Sequence, residues 1–390
     1  LIGIIKIDQY KKVSIIVLSL RRSKLRRRTM TLHQSPIGLD GVAAAETALS
    51  HADGERGQLI IAGRVVDDLA FDLDFETLAA ELWSLASATP LSASRVRSDI
   101  ATARRRAFRR LPALLAATGD MPVVAAFRAA IAALRPEPNL RDEAVLTGAM
   151  PVLAAALVRR SQGEEPVAPD ETLSHAADTL RMLRGEPASE AEVRALNAYL
   201  VTVSDHAMNA STFAGRVIAS TQADVFMAVT GAYCGLTGPL HGGAPEPVLE
   251  MLDAIGTRDN IAPWIDAAIT RGDRLMGFGH RIYRVRDPRA DVLKRAVTSL
   301  GATHADLGLA AEVEAYARAA LAKAKPHRPL DTNVEFYTAI LLDALKIPRQ
   351  AFTPIFAAGR TIGWTAHAIE QQRAGRLLRP ASLYTGRMPA

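Results

Sequence analysis

Apolar residues recur at three- and four-residue spacings along most of the chain. "FETLAAELWSLA", "PVVAAFRAAIAALR", "EAVLTGAMPVLAAALVRR" and "AADTLRMLRG" each place them on one helical face, and abundant alanine suits close helix packing. One early stretch departs from this: "QLIIAGRVV", a β-branched run after a Gly- and Asp-rich segment, predicts a short N-terminal β hairpin. No set of alternating strands competes with the helices. The polar, Pro-containing stretch 160–173 reads as a loop, and 184–193 as a helix break with a new start at Ser189. There is no fixed-period repeat, low-complexity tract or coiled-coil heptad. The predicted fold class is mostly α.

Local signals place several helix ends. Asp287 reads as an N-cap, Pro288 as the first helical residue and Gly301 as the terminator. A helix after His241 starts at Pro245 or Pro247, and another at Thr353 and Pro354. "SDHAMNASTFAGRVIAST" has helical spacing and carries His206, Asn209 and Ser211. In "LDTNVEFYTAILLDAL", Thr332 and Glu335 stand three apart before an apolar run. That is the capping-box pattern, so Glu335 is read first as a cap, with chemistry as the competing role.

Charge changes the picture only at one end. The formal +6 of the 390-residue chain comes from residues 1–29, where nine Lys or Arg face a single acid, Asp8. The remainder has 38 basic and 40 acidic residues, which removes a general basic footprint for nucleic acid. The leader's apolar stretch "VSIIVLSL" is too short to span a bilayer, and no small-residue cleavage site follows it. We read Met30 as the true start and residues 1–29 as disordered or not native; a transit peptide or membrane-surface tail is the alternative. One cysteine, Cys234, excludes an internal disulfide and a cysteine metal cluster, consistent with a reducing, cytoplasmic setting.

Candidate chemistry gathers after residue 204. His241 lies among glycines before a helix start, where the helix dipole disfavours a charged imidazole and leaves an N–H for a developing oxyanion; a plain surface-loop histidine is the bland reading. "GFGHRIYRVRDPR" carries His280 and Arg289, the latter in a first helical turn that calls for an anionic partner. It lacks the third glycine of a dinucleotide fingerprint. Arg360 lies among apolar and small residues and needs a carboxylate, the protein's own or a bound one. No paired His or Cys metal pattern, Gly-Lys-Thr phosphate loop or Gly-x-Ser-x-Gly elbow occurs. Histidines and arginines around one carboxylate suit a small polycarboxylate and enolate chemistry.

In order, "SDHAMNASTF", "GPLHGGA", "GFGHRIYRVRDPR", "NVEFY", "AAGRTIGWTAHAIEQ" and "RLLRP" resemble the signature stretches of citrate synthases, over about residues 38 to 380. The resemblance implies a helical homodimer: a large domain from 30–243 and 351–390, and a smaller one, 244–350, closing over the substrates. It implies that His206, His280, Arg289 and Arg360 bind oxaloacetate, and that Arg379 reaches the neighbouring subunit's site. His241 would donate to the thioester oxygen of acetyl-CoA, Glu335 would take its methyl proton, and His280 would polarise the ketone. Asn209 and Ser211 would support His241. The backbone around Leu240, Gly242, Met276, Gly277, Phe278 and Gly279 would cradle CoA. No cofactor is implied, acetyl-CoA being a substrate, and no metal, nucleic acid or membrane partner.

Two positions depart from the family pattern: Glu335, where relatives usually have Asp, and Ala207, where they often have Glu. Three other readings stay open: 2-methylcitrate synthesis from propionyl-CoA, an impaired homologue that binds oxaloacetate or CoA, and a basic-tail protein docking on anionic membrane or RNA.

Overall fold

The β-branched run forms the expected hairpin and extends it by one short strand. β1 (Ser50–Asp53), β2 (Gln58–Ile61) and β3 (Arg64–Val65) make an antiparallel sheet in that order, with Ser50 opposite Ile61 and Ile60 opposite Val65. Leu59 and Ile61 alternate inward and are fully buried. The computed structural model describes residues 37–39, 41–241, 245–301 and 306–389. The basic leader, Met30 and Gly242 lie outside the described residues.

The rest is helical. The first seven helices are α1 (Val66–Asp72), α2 (Phe75–Ser87), α3 (Ala93–Thr118), α4 (Val123–Ala132), α5 (Asp142–Ser161), α6 (His175–Arg184) and α7 (Glu190–Val203). Then come α8 (Ala210–Ala219), α9 (Val225–Leu236), α10 (Pro245–Ile255), α11 (Ile261–Arg271), α12 (Pro288–Ser299), α13 (Asp306–Ala324), α14 (Val334–Ala344) and α15 (Phe352–Ala374). Residues 46–390 form one compact unit; of the separate unit Leu1–Ala45, a 3-10 turn at Ile37–Leu39 is described. Two helices organise the core. α5 is apolar and long enough to cross a bilayer, yet every residue from Glu143 to Val158 is buried inside the protein. α15 is buried along most of its length and packs on α2, α5, α7, α8 and α9, with the Trp83 indole donating to Thr365 Oγ1 at 2.9 Å.

Most predicted helix ends are observed. Ser189 and Glu192 form a reciprocal capping box, Asp287 caps α12 ahead of Pro288, and Gly301 follows that helix at φ 85°. Helix α10 begins at Pro245, and α15 one residue before Thr353.

Two expectations fail. The capping box at Thr332 does not form: Asn333 is the N-cap, accepting from Glu335 N–H at 3.0 Å, while the Thr332 hydroxyl donates to Glu314 on α13 at 2.8 Å. Asn is an equally good cap one residue later, and a buried hydroxyl beside a carboxylate takes the charge-assisted bond. Glu335 is therefore free of the role its local sequence suggested. Helical spacing also misled from residue 204: α7 stops at Val203 and α8 starts at Ala210, capped by Asn209. His206 sits in the intervening turn, where Ala207 adopts φ 49° and donates its N–H to Ser50 Oγ.

Candidate active site

Three irregular segments frame the site: 204–209, the loop 272–287 between α11 and α12, and 330–333 before α14. Backbone pairing joins the last two. Gly279 N–H donates to Asp331 O at 2.7 Å, Asn333 N–H to Gly277 O at 2.9 Å, and Asn333 Nδ2 to Gly279 O at 2.9 Å, around a bridge between Phe278 and Thr332. Gly277 has φ 84°, and a Cβ there would meet Phe336 at 2.8 Å, so only glycine lets the strands approach. Position 54 is equally restrictive: a Cβ at Gly54 would lie 2.3 Å from Ile282 O, while Arg284 N–H donates to Gly54 O. The β1–β2 turn thus braces the loop that bears His280.

His280 is oriented by its own loop. Its Nδ1 accepts N–H groups of Ile282 at 3.0 Å and Tyr283 at 3.2 Å, which puts the proton of the neutral ring on Nε2. Burial, with the nearby Arg289 charge, lowers its pKa to about 4, so the ring is neutral at pH 7. Nε2 lies 3.2 Å from an Arg289 guanidinium nitrogen. With the ring proton on Nε2, two donors face each other here, and a carbonyl or carboxylate oxygen entering between them would accept from both.

His206, buried, completes this corner. Its ring packs edge-on against His280, with centroids 5.4 Å apart, and Nε2 meets the Tyr283 hydroxyl at 3.1 Å. Burial first, then Arg289, pushes its pKa well below the ordinary value. Behind it, buried Asp205 accepts the His206 N–H at 2.8 Å and lies 3.1 Å from His367 Nε2; His367 Nδ1 faces Arg216 Nη1 at 2.8 Å. Arg216 donates onward to Glu370 at 2.6 Å.

His241 has the opposite tautomer. Its Nε2 faces the Ser211 N–H at 3.2 Å, which leaves the ring proton on Nδ1. The Ser211 hydroxyl receives the Trp364 indole N–H at 3.2 Å and has one proton for two acceptors, the same nitrogen at 2.8 Å and Asn209 Oδ1 at 2.7 Å. Burial, then Arg360, Arg289 and Arg281, lower the His241 pKa to about 4. The ring is neutral, as expected, but burial and guanidinium charge are the causes.

Glu335 stands at the second residue of α14. Its Oε2 is enclosed without a hydrogen-bond partner, and burial raises its pKa despite Arg274 and Arg289 nearby. Arg289 itself finds the anionic partner its position required in Asp287, which takes its Nε at 3.0 Å and Nη2 at 2.8 Å. Arg360 does not. It is 1% exposed, donates Nε to the Val203 carbonyl and lies over Phe356, with no carboxylate ion-paired to it among the described residues. Burial and Arg289 lower its pKa to about 10.

His206, His280 and Arg289 are thus in direct contact, with His241, Glu335 and Arg360 within electrostatic reach of Arg289. Asn209 and Ser211 lie under His241. Arg379 is exposed on the segment after α15 and takes no part in these contacts, while Leu240 is 82% exposed. Met276 and the buried Phe278 lie in the paired loop, where the carbonyls of Gly277 and Gly279 are occupied by Asn333. Sequence reasoning passed over Asp205, Tyr283, His367 and Trp364. Each lies inside a quoted motif, but only contact reveals its role.

Fold and site define a mostly helical acid–base enzyme for a small anionic carbonyl compound. The chain belongs to the citrate synthase family: the family model "Citrate synthase, C-terminal domain" matches residues 38–381. It is 37% identical to a citrate synthase of Haloferax volcanii, covering 90% of this chain and 95% of that one. Identity is also 37% to a 2-methylcitrate synthase of Mycobacterium tuberculosis, over 90% of each. The solved citrate synthase of Thermoplasma acidophilum, in ternary complex with carboxymethyl coenzyme A and oxaloacetate, matches with TM-score 0.81 and 27% identity, over 91% of this chain and 97% of that one.

Proposed function

We propose that the protein condenses acetyl-CoA with oxaloacetate and hydrolyses the citryl-CoA formed, releasing citrate and CoA. The observation that carries this reading is the 3.2 Å approach of two donors, His280 Nε2–H and Arg289, together with a buried Arg360 that has no ion-paired carboxylate among the described residues. A dicarboxylate with a keto group supplies what each lacks. Glu335 removes the methyl proton while His241 Nδ1–H stabilises the enol oxygen. The enol carbon then forms the new bond at the ketone, whose oxygen takes negative charge that the His280 Nε2–H hydrogen bond stabilises. Water next cleaves the thioester.

The same reading makes the protein a homodimer in which Arg379 completes the neighbouring site. It also gives a smaller lobe, 244–350, that closes over a larger one, with CoA held along 240–242 and 276–279. The exposure of Arg379 and of Leu240 is compatible with both. Thiol release from acetyl-CoA and oxaloacetate tests the activity: none above background from a dimeric preparation overturns it. Equal 37% identity to a citrate synthase and a 2-methylcitrate synthase supports propionyl-CoA as a second acyl donor. One methylene changes binding by only about 1 to 3 kcal/mol. The ratio of kcat/KM for the two acyl-CoAs decides.

Arg360 gives a further prediction. Oxaloacetate at about 100 times its Kd should stabilise the folded protein by about 2.7 kcal/mol, seen as a rise in Tm. Arg360→Leu should still fold, because it removes a buried cation rather than an ion-pair partner, but should lose that rise. An undiminished ligand shift in the variant would contradict the assignment.

A further inference from the structure

Glu314, on α13, is buried at 3% exposure and touches none of the residues assigned to substrate. Its carboxylate nevertheless collects four donors, two on each oxygen. Arg286 at 2.7 Å and Thr332 at 2.8 Å share Oε1; Lys294 at 2.9 Å and Tyr337 at 2.5 Å share Oε2. Burial would raise its pKa, yet these bonds hold it down to about 2.

The donors come from the two segments whose register defines the site. Thr332 precedes Glu335 by three residues and Tyr337 follows it by two, so one carboxylate grips the backbone on both sides of Glu335. Arg286 directly precedes Asp287, which clamps Arg289 and also accepts Val334 N–H at 3.1 Å. Lys294 lies on α12, the helix that carries Arg289 in its first turn, and over the Tyr337 ring. Anchoring α13 alone would not require donors from both flanks of Glu335.

We propose that Glu314 is a positioning residue for the carbon-acid step, holding Glu335 at its working distance from the acyl methyl group, which faces oxaloacetate bound at the His280–Arg289 corner. This rests on the reading of Glu335 as the base. Glu314 binds no substrate itself; it acts through Thr332, Tyr337 and Arg286. A displacement of about 1 Å at a reacting group can cost on the order of a hundredfold in rate, so slack in this clamp should appear in chemistry before it appears in binding.

The test compares wild type, Glu314→Gln and Tyr337→Phe by three measurements: kcat for thiol release, oxaloacetate Kd by calorimetry, and the isotope effect with methyl-deuterated acetyl-CoA. Glu314→Gln should lower kcat by about ten- to a hundredfold, leave Kd within about threefold and enlarge the isotope effect, because proton removal becomes the slower step. Tyr337→Phe, which leaves three donors in place, should show the same pattern with a smaller loss and carries the test if Glu314→Gln does not fold. Wild-type kcat in the folded variants, or a loss with an unchanged isotope effect or in step with weakened oxaloacetate binding, overturns the proposal. A wild-type enzyme that releases no thiol overturns the functional reading instead.

Discussion

Glu335→Gln should lower kcat by about 10²- to 10⁴-fold, the range a positioned general base supplies, while oxaloacetate affinity stays near wild type. Glutamine keeps the shape and the Asn333 cap of the backbone but cannot accept the methyl proton. The pH profile sharpens this. The working form is the carboxylate, and burial raises its pKa above the ordinary 4.5, so activity should fall as pH drops through a value higher than that of a free glutamate. His241 and His280 take protons only near pH 4, below that limb. In Glu335→Gln the residual activity should therefore keep its level to lower pH and fall only as the imidazoles charge. A residual profile with the wild-type acid limb would remove Glu335 from the chemistry. Glu335→Asp separates function from impairment: a large gain in kcat would mean that the longer side chain misplaces the base.

The second large effect is expected at His280. In the proposed reaction its Nε2–H meets the ketone oxygen as it gains charge, and loss of one such donor costs about 10²- to 10³-fold in kcat. His280→Ala should therefore cut thiol release by that factor. It should also raise the oxaloacetate KM, since the donor already meets the carbonyl in the ground state. Tyr283 and Ile282 would lose only a hydrogen-bond acceptor, so a melting temperature close to wild type is expected. A kcat loss below tenfold would place the developing charge elsewhere.

Much of the fold was legible because its determinants are local. Ser189–Glu192, Asp287–Pro288 and Gly301 mark helix ends through bonds made within a few residues, and these ends were observed. Thr332 and the 204–209 turn were misread for the opposite reason. Thr332 is claimed by Glu314, eighteen residues away, and the turn is held by Ser50, across 157 residues. Local spacing carries no information about partners so distant. Ordered motifs pointed to His206, His280 and Arg289, which the fold brings together, but Asp205, Tyr283 and His367 stayed silent because their importance lies in what they touch.

By itself the sequence determined that the chain is helical, that its body lacks a basic footprint, and which histidines, arginines and single carboxylate could do carbon–carbon chemistry. The first two follow from periodicity, short-range capping and residue type; the third rests on the ordered motifs and their resemblance to citrate synthases. Only the tertiary structure decided that Glu335 is released from capping, that His280 and His241 hold their protons on opposite nitrogens, and that Arg360 lacks an ion-paired carboxylate among the described residues. Those properties depend on burial and on donors and acceptors brought from remote segments, and burial is what turns ordinary imidazoles and a carboxylate into neutral donors and a base with a raised pKa.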